Sequence, residues 1–277
     1  MPTTPLSQRL LPADDDMTTW MNRPSTWPFM SMTWLHLIAL VLFAGCGLVG
    51  EESATATAKE VKAVSSRTAE SASTPKPHRV GRHQEFLKRK TTGPIDLLFL
   101  GDSITDHWPK NGATTWAKFA PWNPADFGVS AMRTEGLLWN ITNGELDGLK
   151  PKAVVILIGI NNILQCYDEK PEWVAAAITK VVKTVQEKCP GTRILLMGIL
   201  PGRWGHVDTP PKIAAVNQLI AKLDDGKTVR FLDIGKSFAN AKGEPNKDLM
   251  PDRLHPNEAG YQIWYDAIQP ILTEWMK

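Results

Sequence analysis

Cysteine is scarce in this chain of 277 residues, which has only Cys46, Cys166 and Cys189, so the sequence does not encode a disulfide-stapled scaffold. An excess of one charge is also missing: the net charge is +2 and no basic stripe occurs, which argues against nucleic-acid binding. No cluster of His, Cys and Asp has metal-ligand spacing, and no glycine-rich loop has phosphate-binding spacing. We therefore expect no metal and no organic cofactor. The composition, 43% hydrophobic and 22% charged, indicates one well-buried globular domain.

Residues 1–46 have the features of an export leader. Their apolar core, Leu37–Ala44, is too short to span a bilayer and has the length of the apolar region of a signal peptide. Two small residues precede Cys46, which resembles the lipobox of bacterial lipoproteins, although Phe43 stands where leucine is usual. We predict an exported protein, periplasmic or anchored to the membrane as a lipoprotein. The alternatives are a plain secretory signal and a buried core helix.

The next segment, residues 47–80, is rich in Glu, Ser, Ala, Thr and Lys and includes Pro75-Lys-Pro77. A segment of such low hydrophobicity buries too little apolar surface to fold by itself. We interpret residues 47–80 as a disordered linker and residues 81–277 as the folded domain that it tethers.

Strand and helix patterns alternate within this domain. The predicted strands are Leu97–Leu100, Ala125–Phe127, Ala153–Ile158, Ile194–Met197 and Val229–Leu232. The predicted helices are Thr114–Phe119, Arg133–Asn140, Pro171–Glu187, Pro211–Leu223 and Glu258–Trp275. Such alternation indicates a parallel sheet with helices on both faces. The sequence therefore predicts a three-layer, flavodoxin-like α/β domain with a five-stranded parallel sheet.

Two cysteines flank one of these helices. Cys166 precedes the predicted helix Pro171–Glu187 and Cys189 follows it. The ends of a helix of this length are about 25 Å apart, whereas a disulfide needs Cα atoms within roughly 7 Å. We expect both thiols to be unpaired.

A serine stands just beyond the first predicted strand. Ser103 follows the apolar run Leu97–Leu100 and Gly101, a residue that lets the backbone turn sharply. Ligands of open α/β sheets bind at the carboxyl ends of the strands, and a helix start places partial positive charge beside a hydroxyl there. Ser103 is therefore a candidate nucleophile. The alternative is that Ser103 only caps the helix that follows.

A serine hydroxyl needs a base, and the base needs an orienting group. Asp252 and His255 are three residues apart, a spacing that in a tight turn can bring the carboxylate to the imidazole Nδ1. The alternative is a surface loop whose aspartate caps the last helix. Asn161 follows the central strand and can donate to an oxyanion at the same sheet edge, or can simply form a turn. Phe127-Gly-Val-Ser-Ala131 follows another strand and could add a backbone N–H.

Four motifs stand in the order and spacing of the GDSL/SGNH hydrolases, which the chain resembles over about residues 93–277. They are Gly101-Asp-Ser-Ile104, Phe127-Gly-Val-Ser130, Gly159-Ile-Asn-Asn162 and Asp252-Arg-Leu-His255. Segments between them, such as Leu138-Trp-Asn-Ile-Thr-Asn-Gly-Glu-Leu146, look like the branch that contains the catalytic subunits of platelet-activating-factor acetylhydrolase and related bacterial acylesterases.

The resemblance implies a role for each matching residue. Ser103 would be the nucleophile and would lend its backbone N–H to the oxyanion hole. His255 would act as general base and then as acid, and Asp252 would orient it. The side chain of Asn161 and the backbone N–H of Ala131, where the family usually has glycine, would complete the oxyanion hole.

The resemblance also implies the reaction, in which a serine esterase hydrolyses short acyl esters, above all acetyl esters of carbohydrates, through an acyl-enzyme. The alternatives are a lipid acylhydrolase or thioesterase with the same triad, and a non-catalytic glycan-binding module with the same fold. Four further residues are candidates for substrate contacts: His107, Trp108, Trp204 and His206. The acetylhydrolase relatives suggest a homodimer.

Overall fold

The computed structural model describes residues 67–166, 168–203 and 208–277. Within these ranges five strands form one parallel sheet: β1 (Leu97–Gly101), β2 (Pro124–Gly128), β3 (Ala153–Leu157), β4 (Arg193–Met197) and β5 (Val229–Leu232). Their spatial order is β2-β1-β3-β4-β5. The chain winds first to one side of β1 and then to the other, which is the flavodoxin-like order. The predicted three-layer α/β fold is confirmed.

The middle of the sheet positions the loops that matter below. Every residue of β1 and β3 is buried, as expected for strands covered by helices on both faces. Gly101 at the end of β1 lies opposite Gly128 of β2 and Leu157 of β3. Because the three strands end at the same level, the loops that follow them meet at one edge of the sheet. This is also where the winding direction reverses, the usual ligand site of such sheets.

Ten α-helices surround the sheet in the described residues. They are α1 (Val80–Arg89), α2 (Ser103–Asp106), α3 (Trp108–Asn111), α4 (Ala113–Ala117), α5 (Thr134–Asn140), α6 (Ile160–Gln165), α7 (Pro171–Lys188), α8 (Pro210–Ile220), α9 (Gly235–Phe238) and α10 (Glu258–Trp275). The five predicted helices end within three residues of α4, α5, α7, α8 and α10. In α7, for example, a proline occupies the first turn, and buried Val174, Ile178, Val181 and Val185 recur at helical spacing.

The prediction that Trp108 contacts substrate is wrong. Its side chain is fully buried, and its indole N–H donates to Thr115 Oγ1 over 2.8 Å. The ring packs against Phe99, Tyr261 and Trp264, with centroids 4.4 to 5.4 Å away. Trp108 is a core residue because α3 turns its apolar side inward, where the large aromatic surface is removed from water.

The folded domain begins earlier than the sequence predicted. Residues 67–79, called the N-terminal strap below, lie against the domain instead of forming the disordered linker expected there. Ala72 is fully buried, and its carbonyl accepts a hydrogen bond from Thr134 Oγ1 at 2.7 Å. The backbone N–H of Lys76 donates to Glu135 O at 3.0 Å. The rest of the domain supplies the hydrogen bonds and the burial that stabilise the strap, whose own residues are too polar to fold alone.

The predicted leader, including Cys46, and the rest of the predicted linker lie outside the described residues. Among the helices that the structure describes, none is both long and apolar enough to cross a bilayer. Cys166 and Cys189 are buried free thiols, so the prediction that both are unpaired is confirmed.

Candidate active site

Ser103 is the first residue of α2, directly beyond β1, and is almost fully buried. The residue that caps α2 is Asp102, whose Oδ1 accepts the Ile104 N–H at 2.9 Å. The alternative role of Ser103 as an N-cap is therefore wrong, and its hydroxyl is available for another partner. A Cβ at Gly101 would lie 2.2 Å from Thr105 Oγ1 and 2.5 Å from Leu157 O, so this tight turn needs glycine.

The partner of that hydroxyl comes from the other end of the chain. Ser103 Oγ lies 2.8 Å from His255 Nε2, and His255 Nδ1 lies 2.5 Å from Asp252 Oδ2. Because a carboxylate only accepts, Nδ1 carries the proton, and Nε2 can accept the hydrogen of the serine hydroxyl. This arrangement allows the imidazole to remove that proton.

The loop that carries His255 is organised by the same carboxylate. Asp252 Oδ1 accepts the backbone N–H groups of Leu254 and His255 at 3.0 and 2.8 Å. Partial burial opposes ionisation, but these bonds and the bond from the imidazole hold the pKa of Asp252 below its usual value. Asp252 is therefore ionised at neutral pH and can stabilise a protonated His255.

The two further candidate donors lie on the loops after β2 and β3. Asn161 Nδ2 donates to Met132 O at 3.0 Å, and Asn161 Oδ1 accepts from Gln165 Nε2 at 3.0 Å. The amide is thereby oriented with its NH2 group toward Met132, in the loop after β2, and Nδ2 has a second hydrogen to donate. Within the described residues, no hydrogen bond engages the N–H of Ala131.

Ala131 has a φ of 61°, in the left-handed region that glycine favours. This explains why the family usually has glycine there, and it shows that the turn keeps its conformation with alanine. The cost of this conformation for a residue with a Cβ is about 1–2 kcal/mol.

Two more side chains tie the loops together. The His107 ring lies 4.6 Å from that of His255, centroid to centroid, which places His107 beside the candidate base. Its contact with substrate stays a prediction. Burial, followed by the proximity of His255, lowers the pKa of His107, and its imidazole is therefore neutral at pH 7. Ser130 Oγ donates to Asp106 Oδ2 at 2.8 Å, which joins the loop after β2 to α2.

Two aspartate carboxyl groups, one fully and one partly buried, lie at the carboxyl ends of β1 and β2. Burial raises the pKa of both Asp102 and Asp126 to about 7. In each, Oδ1 accepts a backbone N–H, from Ile104 and Gly128 respectively, whereas Oδ2 is buried without a partner in the described part of the chain. These groups are not aligned with the imidazole, and they support the turns instead.

Open space adjoins the candidate residues on two sides. One cavity, of about 390 Å³, is lined by Asn111, Pro251, Asp252, His255, Pro256, Asn257 and Glu258. The other, of about 290 Å³, is lined by Lys76, Pro77, His78, Ala131, Arg133, Glu135, Gly136 and Gln165. Polar and charged side chains dominate the second cavity, and the strap forms one of its walls.

The structure does not describe two of the candidate residues, and it brings near the site one residue that the sequence analysis did not select. Trp204 and His206 lie outside the described residues. His78 was assigned to the linker, yet its Nε2 lies 3.0 Å from Ser130 O, and no sequence pattern marked it. In the described ranges, no group of three or more His, Cys, Asp or Glu residues is placed to hold a metal ion.

Similarity to known proteins shows the family of this chain. Residues 99–263 match the sequence model of the GDSL-like lipase/acylhydrolase family. The platelet-activating factor acetylhydrolase IB subunit alpha2 of Rattus norvegicus is 31% identical over 203 residues, which cover 70% of this chain and 85% of that subunit. The alpha1 subunit of Homo sapiens is 29% identical over 192 residues, covering 69% of this chain and 80% of its own.

Solved structures show the likeness in fold. A GDSL-like lipase of Bacteroides thetaiotaomicron superposes with a TM-score of 0.60 at 17% identity, covering 69% of this chain and 97% of that protein. The family match spans more than half of the chain, and the alpha2 relative exceeds 30% identity over more than two thirds of it. The chain therefore belongs to the GDSL-like lipase/acylhydrolase family and is a carboxylic ester hydrolase.

Proposed function

We propose that this protein is a serine esterase that hydrolyses short acyl esters, acetyl esters above all, through an acyl-enzyme on Ser103. One observation carries the proposal: an unbroken chain of hydrogen bonds runs from Ser103 Oγ to His255 Nε2 over 2.8 Å and from His255 Nδ1 to Asp252 Oδ2 over 2.5 Å. This is the arrangement that activates a serine hydroxyl.

In the first half of the proposed reaction, Ser103 Oγ attacks the ester carbonyl carbon while His255 Nε2 takes the hydroxyl proton. Asp252 stabilises the resulting imidazolium. The carbonyl oxygen becomes an oxyanion, which accepts hydrogen bonds from the N–H groups of Ser103 and Ala131 and from Asn161 Nδ2. When the tetrahedral intermediate collapses, His255 returns the proton to the leaving alcohol and the acyl group stays on Ser103.

In the second half, water replaces the alcohol. His255 takes a proton from the water as its oxygen attacks the acyl carbon, and the same donors hold the second oxyanion. Collapse breaks the bond between the acyl carbon and Ser103 Oγ, and the proton returns to that oxygen. The products are the carboxylic acid, the alcohol and the regenerated enzyme.

The polar cavity beside Ala131 supports a short acyl group on a hydroxyl-rich alcohol, such as a carbohydrate. Lysine, histidine, arginine and glutamine side chains line it. Such groups bind hydroxyl and carbonyl oxygens, whereas a long alkyl chain needs an apolar lining. The alpha1 and alpha2 relatives are acetylhydrolase subunits, which is consistent with a small acyl group.

The test is hydrolysis of p-nitrophenyl acetate, butyrate and octanoate by the full chain and by Ser103→Ala and His255→Ala. We expect acetate to be the best substrate and each variant to lose more than about 10⁴-fold in kcat. Ser237→Ala, which changes an exposed serine on α9, is the matched control and should keep wild-type activity. A fluorophosphonate probe should label the wild type and the control but not Ser103→Ala.

Each contrary result points to a different error. Activity that survives Ser103→Ala would identify another nucleophile. Faster turnover of octanoate than of acetate would favour the lipid acylhydrolase. A folded wild type that neither turns over esters nor reacts with the probe would favour the glycan-binding module.

A further inference from the structure

His78 lies on the N-terminal strap, ahead of the residues that match the family. Its Nε2 is 3.0 Å from the carbonyl oxygen of Ser130. A carbonyl oxygen only accepts hydrogen bonds, so Nε2 carries a hydrogen and donates it. The strap therefore reaches the loop after β2 through a directed hydrogen bond.

That carbonyl is part of the same peptide group as the N–H of Ala131. The peptide group is planar and trans, so its C=O and N–H point in opposite directions. A bond that fixes the direction of Ser130 O consequently fixes the direction of the Ala131 N–H. A hydrogen bond to the carbonyl oxygen also polarises the group and makes its N–H a stronger donor.

This peptide group needs such a restraint. Ala131 is held at a φ of 61°, a conformation that side-chain-bearing residues avoid. A flip of the Ser130–Ala131 peptide would relieve that strain and would turn the N–H away from the site. Two residues further along, Met132 O is held by Asn161 Nδ2 at 3.0 Å. The His78 bond is the matching restraint on the other side of Ala131.

The strap presents His78 in a defined place. On one side of His78, the Lys76 N–H donates to Glu135 O at 3.0 Å. At the start of the strap, Arg67 binds Glu135 and Glu169. His78 is thus held by bonds to α5 and to the segment before α7, independently of its own contact with Ser130.

We propose that His78 is a positioning residue of the oxyanion hole: by holding Ser130 O, it keeps the Ala131 N–H directed at the oxyanion. The inference rests on the proposed function, in which that N–H stabilises the tetrahedral intermediate. It makes the strap a working part of the active site.

The size of the effect follows from the chemistry. Loss of a whole oxyanion-hole donor costs about 10²–10³-fold in kcat. His78→Ala leaves the Ala131 N–H present but no longer fixed, so we expect a loss of about 10-fold in kcat with KM changed less than about 2-fold. His78→Gln retains an N–H donor at similar reach and should recover most of the loss.

The experiment measures kcat and KM on p-nitrophenyl acetate for the full-length wild type, His78→Ala and His78→Gln, with thermal unfolding of each. Thr74→Ala, four residues away on the strap and exposed, is the matched control and should retain wild-type kcat. Affinity for a trifluoromethyl ketone, which forms a tetrahedral adduct with the serine, should weaken in His78→Ala by the same factor as kcat. A purely structural role would lower the unfolding temperature without this parallel loss.

A second pair of variants keeps the inference testable if His78→Ala unfolds. Glycine at position 131 adopts the left-handed conformation without strain, so His78→Gln and His78→Asn are compared in the wild-type and Ala131→Gly backgrounds. The side chain of Asn is too short to reach Ser130 O, so His78→Asn should lower kcat. This loss should be smaller in the Ala131→Gly background than in the wild-type background.

The outcomes separate the two proposals. If Ser103→Ala is inactive while His78→Ala and His78→Asn retain wild-type kcat and ketone affinity, the role of His78 is overturned and the esterase mechanism stands. If Ser103→Ala remains active, the proposed function is wrong and the inference falls with it.

Discussion

Replacement of Arg67 by methionine tests how the strap is anchored. Arg67 donates to Glu169 through Nε and Nη2 and to Glu135 through Nη1, each over 3.0 Å. The Glu169 side chain is fully buried and that of Glu135 is 4% exposed. In Arg67→Met, Asn162 Nδ2 would remain as a donor to both carboxylates, at 3.2 and 3.3 Å, and Arg133 Nε would remain on Glu135. Glu169 would then have no cationic side chain among its described ion-pair partners.

The expected cost is large for a single surface-proximal arginine. Removal of one partner from a buried ion pair typically costs about 3–5 kcal/mol, because the charge that remains is buried without its ionic partner. For a domain of this size, each kcal/mol lowers the unfolding temperature by about 2–4 °C. We therefore predict that Arg67→Met lowers the unfolding temperature by roughly 10 °C.

The stability deficit of Arg67→Met should change with pH in a definite direction. Although burial opposes it, the hydrogen bond from Arg67 keeps the pKa of Glu135 below its usual value. In the wild type this carboxylate stabilises the fold above about pH 4.5, and the contribution is lost as the pH falls. Without Arg67, burial favours protonation of the Glu135 carboxylate, so the deficit of Arg67→Met should grow from pH 5 to pH 8.

The assay is thermal unfolding of the full chain by circular dichroism across that pH range. Arg82→Met is the matched control, since Arg82 also binds two carboxylates, Glu85 and Asp106, but is 36% exposed. Arg82→Met should lower the free energy of unfolding by no more than about 1 kcal/mol. Glu169→Gln should recover stability in the Arg67→Met background. Equal losses in Arg67→Met and Arg82→Met, or a deficit that shrinks as the pH rises, would refute the reasoning.

Three further predictions concern the site and its support. Ala131→Gly should stabilise the protein by about 0.5–1 kcal/mol in denaturant unfolding, because the strain removed exceeds the entropy gained by the unfolded chain, whereas Ala131→Val should lower kcat. Burial raises the pKa of Asp126 to about 7, so the native state loses stability as the pH rises from about 4 through 7. Asp126→Asn keeps the acceptor for the Gly128 N–H, and its stability relative to the wild type should increase by on the order of 3 kcal/mol between pH 5 and pH 9. Asp252→Asn should reduce kcat by roughly 10³–10⁴-fold with the fold retained, and a loss below 10-fold would contradict the orienting role of Asp252.

The sheet and the candidate site were predictable because their signals are local. A short apolar run ended by glycine marks β1, and Asp252 and His255 are close enough in sequence for one turn to join them. The parallel order of the strands then brings the loops after β1, β2 and β3 to one edge, because their last residues are in register. Position after a strand was therefore sufficient to place Ser103 and Asn161 near each other.

Local signals failed where a residue's role depends on a distant partner. Trp108 follows Ser103 and His107 closely, but whether an aromatic ring lines a pocket or fills the core depends on the direction of a four-residue helix and on Trp264 in α10. Likewise, Asp102 rather than Ser103 caps α2, a choice between adjacent polar residues that only the backbone conformation settles.

The N-terminal strap shows the division most clearly. Its composition indicates a chain that cannot fold alone, and that remains correct, because Arg67 gains its stability from glutamates 68 and 102 positions away. Apolar periodicity, turn residues and motif spacing depend on residues that are neighbours in the sequence, so they can be recognised without the folded structure. Neutralisation of buried charge and restraint of the Ser130–Ala131 peptide by His78 require groups that meet only once the chain has folded, so tertiary structure assigns them.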